Sequence, residues 1–197
     1  MMNLVVLIPC KNLDRGKSRL AACLSPRSRR ALCEFFLCRT LDVATQALAP
    51  ARVRVVTSDP RVAAIAAEYG AGAIPDGDAD LNGALARGRA EALAEAGDCA
   101  GLILPIDMPL ATPDALARVA DEAHAIVPDE SGAGTNVLRL APAAFRAFRF
   151  AFGAHSFAAH EANARGMGLD VRIVKDPLLM FDVDTPEQYR RWMENGP

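Results

Sequence analysis

The sequence predicts an α/β chain, a mainly parallel sheet with helices on both faces. Short apolar runs recur along it with helix-period segments between them, the alternation expected when parallel strands are joined by crossover helices. A small oxygen-bearing residue repeatedly stands just before a proline, at Ser25-Pro26, Ser58-Asp59-Pro60, Thr112-Pro113 and Thr185-Pro186. Each pairing marks a helix start, because the side-chain oxygen caps free N–H groups and proline fits the first turn. With 197 residues, 51% of them hydrophobic, the chain can bury the core of a single domain over 1–197.

The first run, Leu4 to Ile8, reads as a strand leading into Pro9 and a basic turn. The first helix starts at Ser25-Pro26, and Leu32, Phe36, Thr40, Ala44 and Leu48 recur at nearly helical spacing along one face. Val53 to Thr57 is the next strand, Pro60 opens the next helix, and Ala73 to Pro75 is a third strand. The Ala-rich stretch Leu81 to Ala96 reads as a helix that buries Leu85 and Leu93 and leaves Arg87, Arg89, Glu91 and Glu95 mostly in water. Gly101 to Pro105 is a buried strand, followed by a helix from Pro113 and strands at Ala125 to Pro128, Val137 to Leu140 and Val171 to Val174. The loop Asp129 to Thr135, DESGAGT, is expected to be flexible, since glycine and small polar residues neither pack nor propagate a strand. A further helix is expected to begin near Phe157.

Composition excludes several classes. The formal net charge of -2 argues against a large nucleic-acid footprint, so small molecules are the expected partners. Cys10, Cys23, Cys33, Cys38 and Cys99 are odd in number and contain no C-x-x-C pair, which points away from a disulfide framework or a zinc site and toward a reducing cytoplasm. Cys33 and Cys38 read as small hydrophobes of the first helix. Leu4 to Ile8 is too short for a secretory signal, and no run is long enough to span a membrane. A homodimer would be unremarkable.

The segment Pro9 to Leu20 places Lys11, Arg15, Lys17 and Arg19 in the turn after the first strand, where doubly wound sheets hold phosphates. A solvated basic surface is the plain alternative. The segment is not a Walker loop, and Gly70-Ala71-Gly72 lacks the third glycine of a dinucleotide fingerprint. Asp76-Gly77-Asp78-Ala79-Asp80 mimics the start of a calcium loop, but Leu81 replaces the required glycine and Arg87 the closing glutamate, so it reads as a solvated loop.

The remaining acids are more pointed. In DVDTP, Asp182 and Asp184 stand at i and i+2, so an extended backbone puts both carboxylates on one face, where they repel unless something positive sits between them. Asp107 ends a buried strand. Three carboxylates, completed by phosphate oxygens, suit Mg²⁺, with Mn²⁺ as an alternative, far better than Zn²⁺. The bland alternative makes Asp184 the cap of the helix at Thr185-Pro186, Asp182 a turn residue and Asp107 the cap of its own turn. His124, His155 and His160 read as structural or solvent-facing, with His155 of interest because it adjoins Ser156.

Taken in order, P-C-K-x-L-x-R-G-K-S-R-L at Pro9 to Leu20, L-N-x-A-L at Leu81 to Leu85, L-P-x-D-x-P-L at Leu104 to Leu110, G-x-G-T-N at Gly132 to Asn136, F-G-x-x-S-F at Phe152 to Phe157 and D-V-D-T-P at Asp182 to Pro186 span nearly the whole chain. Together they resemble the 2-phospholactate / phosphoenolpyruvate guanylyltransferases of deazaflavin coenzyme biosynthesis. Cys10 stands where a valine or another apolar residue is expected. The resemblance implies a three-layer, GT-A-like nucleotidyltransferase fold with a mainly parallel mixed sheet. It implies Asp107, Asp182 and Asp184 as metal ligands, Thr135, Gly153 and Ser156 around the phosphorylated acid, and Leu81, Asn82 and Ala84 facing guanine. Asn82 and Ser156 each have a helix-capping alternative.

The expected reaction transfers GMP from GTP to the phosphate of a three-carbon phosphorylated acid, with phosphoenolpyruvate, 2-phospholactate and 3-phosphoglycerate all eligible, and releases pyrophosphate. Such a transfer needs positioning, a metal and cationic clamps, for which Lys11, Lys17 and Arg19 are the candidates. It needs no histidine base, because a phosphate monoester is already largely ionised near neutral pH. A metal-dependent glycosyltransferase and a non-catalytic GTP-sensing module are the alternatives.

Overall fold

Strand β1 (Leu4–Pro9) has its first five residues buried, as a strand covered on both faces should. The computed structural model describes residues 3–77 and 79–194. Around β1 the described strands are β2 (Val53–Val56), β3 (Gly72–Ile74), β4 (Ala100–Ile103), β5 (Ala125–Pro128), β6 (Thr135–Leu140) and β7 (Arg172–Ile173), in the order β3-β2-β1-β4-β6-β5-β7. The pairs β1–β2, β2–β3, β1–β4 and β5–β7 are parallel, whereas β6 is antiparallel to both β4 and β5. The antiparallel pairs follow from the DESGAGT hairpin, which turns β5 back into β6. That turn is organised rather than loose: the Asp129 carboxylate accepts from Ser131 Oγ and Ala133 N, and Asp129 N donates to Gly134 O.

Helices α1 (Pro26–Ala47), α2 (Pro60–Glu68), α4 (Pro113–Ala120) and the short α7 (Pro177–Met180) pack on one face through Leu37, Leu41, Val62, Leu116 and Leu179. Helices α3 (Leu81–Ala96), α5 (Pro142–Ala147) and α6 (Ser156–Gly166) cover the other through Leu85, Phe145 and Ala164. Helix α8 (Pro186–Glu194) closes a third cluster, in which Trp192 meets Phe36, Phe181 and Val183. The proline starts behave as expected. Ser25, Asp59 and Thr112 accept from Ser28 N, Arg61 N and Ala115 N, and Thr185 Oγ1 accepts from Gln188 N. Helices α5 and α7 are too short to show a period, which is why the sequence does not announce them.

Three further expectations change. Arg89 is not mainly in water, since its guanidinium donates to the carbonyls of Phe145 and Phe148 and ties α3 to α5. The acidic run is not merely solvated: Asp76 is buried and accepts from Ser58 Oγ, while Asp80 caps α3 at Gly83 N. Asp78 lies outside the described residues. The third change is that Ser156 is not a cap; it is the first residue of α6, and its hydroxyl accepts from Thr135 N.

The topology positions the site. Because β6 runs antiparallel to β4, its first residue, Thr135, lies at the same sheet edge as the C-terminal ends of β1 and β4, which lead into Lys11–Arg19 and Asp107.

Candidate active site

Residues 181–184 form no strand, yet the alternation expected of an extended segment holds. Val183 points into the third core cluster and its N–H donates to Asp107 O at 3.0 Å, so Asp182 and Asp184 turn the other way, beside Asp107. One carboxylate oxygen from each of Asp107, Asp182 and Asp184 falls within 4.8 Å of the others. The capping alternative for Asp184 does not hold. Thr185 caps α8 reciprocally with Gln188, whose Oε1 accepts from the Asp184 and Thr185 N–H groups.

The positive charge between the acids is Lys17. Its Nζ donates to Asp107 Oδ2 at 2.8 Å and to Asp184 Oδ1 at 2.7 Å. The backbone of Lys17 is left-handed, with φ 53°, a sparsely populated conformation for a residue with a Cβ that here aims the ammonium inward. Burial disfavours the Lys17 charge, but the two carboxylates more than offset it and hold the pKa above its ordinary value. Among the described residues, Asp182 makes no such pair. Burial first, then the neighbouring charges of Asp107 and Asp184, push its carboxyl up to about 7. Such a cluster of hard oxygen donors, with excess negative charge at neutral pH, fits a divalent cation of the Mg²⁺ type.

Asp107 and Asp184 stand between two cavities. One, of about 450 Å³, is lined by Asp107, Asp182, Asp184, Thr135, Gly153 and Ser156, with Arg19 and Leu81 at its margin. The other, of about 390 Å³, is lined by the loop from Pro9 to Lys17 together with Asp107 and Asp184. A third, of about 460 Å³, continues from Lys11, Asn12 and Arg15 to Ser58, Asp59, Arg61 and Asp76. Lys11 thus lines the second and third cavities, its Nζ donating to Ala79 O, and Arg19 reaches Asp184 Oδ2 at 3.5 Å from an exposed position. Cys10 is buried in the wall of the second cavity, as the apolar residue expected there would be.

The structure brings Thr135, Gly153 and Ser156 together as neighbours in the first cavity. Gly153 has φ 128°, a region open in practice to glycine alone, which lets the loop turn across the cavity mouth. The segment expected at guanine opens α3. Both amide atoms of Asn82 are engaged by the Phe152 backbone, at 3.0 Å from Nδ2 to the carbonyl and 2.8 Å from the N–H to Oδ1. Ala84 is buried beneath, and Leu81 faces the first cavity. Asn82 therefore acts as a clamp on the Phe152–Gly153 loop. His160 is the residue sequence reasoning undervalued: it is fully buried, with Nδ1 2.9 Å from Thr135 Oγ1. Its position four residues after Ser156, on the same helical face, is the signal that could have found it.

A family model described as guanylyl transferase CofC like matches residues 4–196. The phosphoenolpyruvate guanylyltransferase of Rubrobacter xylanophilus is 38% identical over 200 residues, covering 99% of this chain and 96% of its own. That of Sphaerobacter thermophilus is 36% identical over 200 residues, covering 100% and 95%. Among solved structures, a nucleotidyl transferase from Methanothermobacter thermautotroptrophicus superposes with a TM-score of 0.68 at 16% identity, covering 96% of this chain and 95% of that one. A 4-diphosphocytidyl-2C-methyl-D-erythritol synthase does so at 0.65 and 13%, covering 97% of each, so the fold is that of the nucleotidyltransferases. The chain belongs to the family of CofC-like guanylyl transferases.

Proposed function

We propose that this guanylyltransferase moves GMP from GTP to the phosphate of phosphoenolpyruvate, releasing pyrophosphate, as a step of deazaflavin coenzyme formation. The observation that carries this reading is the placement of Asp107 and Asp184 on the wall shared by two cavities, one lined by a basic loop and one by hydroxyls, with Asp182 beside them in the hydroxyl cavity. GTP occupies the cavity of the basic loop and the acid occupies the hydroxyl cavity, so the acceptor's phosphate oxygen and the α-phosphorus meet at the carboxylates. The new P–O bond forms there, and the bond between the α-phosphorus and the bridging oxygen breaks, its electron pair leaving with pyrophosphate.

Bound at the three carboxylates, Mg²⁺ would supply charge neutralisation to the phosphates as negative charge shifts toward pyrophosphate. Lys17 holds Asp107 and Asp184 in place. Arg19 and Lys11 lie on either side of the carboxylates, positioned for phosphate oxygens of the two substrates. Thr135, Ser156 and the Gly153 loop hold the acid, and the third cavity takes the base.

The glycosyltransferase and GTP-sensing alternatives give way because the full-length relatives are named for guanylyl transfer. The test is pyrophosphate release from GTP with phosphoenolpyruvate, 2-phospholactate or 3-phosphoglycerate, with Mg²⁺ and with chelator. Release dependent on both phosphoenolpyruvate and Mg²⁺ supports the proposal, and a higher kcat/KM with either other acid replaces the acceptor.

A further inference from the structure

We propose that His160 is a positioning residue that fixes the Thr135 hydroxyl as a hydrogen-bond donor toward the acid, so that this wall of the cavity selects an anion by hydrogen-bond direction. The inference rests on the reading of the hydroxyl cavity as the acid's site.

The direction follows from the ring's two partners. Ala151 N lies 3.0 Å from His160 Nε2, and a backbone N–H can only donate, so Nε2 is the unprotonated nitrogen. The proton of the neutral ring therefore sits on Nδ1. Nδ1 is 2.9 Å from Thr135 Oγ1 and donates to it, leaving the Thr135 hydroxyl proton for another acceptor. The same logic applies to Ser156, whose Oγ accepts from Thr135 N at 2.8 Å and retains its own proton. Both residues line the cavity with Gly153. Two hydroxyls that each receive a bond from behind present their protons forward, which matches a carboxylate or phosphate oxygen and opposes a donor group.

The ring is held for this task. It is fully buried, lies edge-on to Phe152 at 4.7 Å between centroids, and is 5.8 Å from the Phe148 ring. Burial holds its pKa down at about 4, so it stays neutral. Phe152 is also the residue clamped by Asn82, so hydrogen bonds and ring contacts tie the imidazole to the loop that carries Gly153.

Two variants separate the roles of the ring nitrogens. In His160→Asn the amide nitrogen takes the place of Nδ1 and keeps the donor to Thr135, whereas His160→Gln places its amide near Nε2 and loses that donor. The expected result is a rise in KM for phosphoenolpyruvate of about 10-fold in His160→Gln and less than about 3-fold in His160→Asn, with KM for GTP unchanged in both. Equal KM shifts for the acid in the two variants, or a parallel rise for GTP, would overturn the assignment, since a ring that only fills space would lower the melting temperature of both variants alike. Thr135→Val tests the underlying reading. An acid KM unmoved by it removes the acid from this cavity and the inference with it, while an acid KM raised by Thr135→Val but unmoved by His160→Gln removes His160 alone.

Discussion

On one side of the cleft, Asp107, Asp184 and Lys17 are held by opposed charges, with Asp182 beside them; on the other, Thr135, Ser156 and His160 are held by neutral hydrogen bonds. The charged side has more negative than positive groups, so its balance depends on what binds and on pH. The neutral side is closed behind the cavity: the Thr135 N–H, the Ser156 acceptor and both ring nitrogens of His160 have partners in the chain. The difference teaches how one cleft can serve two needs. Charge that develops during transfer is met by groups that respond to charge, and the acceptor is selected by donors whose direction does not change with ionic conditions.

The largest effect that tests this division should come from Asp182→Asn and Asp184→Asn, each lowering GTP-dependent transfer by roughly 10³-fold. Their stabilities should diverge. In chelator, Asp182→Asn is expected to melt no lower than wild type because a buried repulsive charge is gone, whereas Asp184→Asn should melt lower because Lys17 loses one of its two partners. An Asp182→Asn enzyme with undiminished, Mg²⁺-dependent turnover would break the charged half of the comparison.

Lys17→Ala should lower turnover by about 10²-fold and leave the three acids without their internal counterion, so that its melting temperature gains more from Mg²⁺ than that of wild type. Turnover at the wild-type level would leave Lys17 a purely structural counterion. On the neutral side, Ser156→Ala should raise KM for the acid by about 10-fold with KM for GTP unchanged. It should also lower the melting temperature, because the buried Thr135 N–H loses its acceptor. A lower melting temperature with an unchanged acid KM would give Ser156 a structural role alone.

The smallest expected effect is a pH dependence confined to the charged side. The Asp182 carboxyl is raised from 3.8 to about 7, so the folded chain holds that proton more tightly than the unfolded chain. The resulting stability is full at pH below the unfolded value and is lost as pH rises through about 7. In chelator, therefore, wild type should lose melting temperature between about pH 4 and pH 8 relative to Asp182→Asn, and Mg²⁺ should restore it at the upper end. Identical slopes for the two proteins would sink that account.

Much of the fold was legible because it is written in local physics. Helical spacing from Leu32 to Leu48, oxygen-before-proline caps and apolar runs ending at Pro9 and Pro105 depend on neighbours a few positions apart. The carboxylates were legible too, since alternation about Val183 requires only an extended backbone. The motif order carried the family as far as its resemblance could reach. What the sequence by itself determined is thus the class of fold, the helix starts and the residue types that gather at the site. Tertiary structure alone decided who partners whom. Lys17 lies 167 positions from Asp184, Asn82 lies 70 from Phe152, and His160 lies 25 from Thr135. An ion pair or a hydrogen-bond direction depends on atoms meeting within about 3 Å, a condition that spacing along the chain does not encode and that only the packed sheet and helices impose.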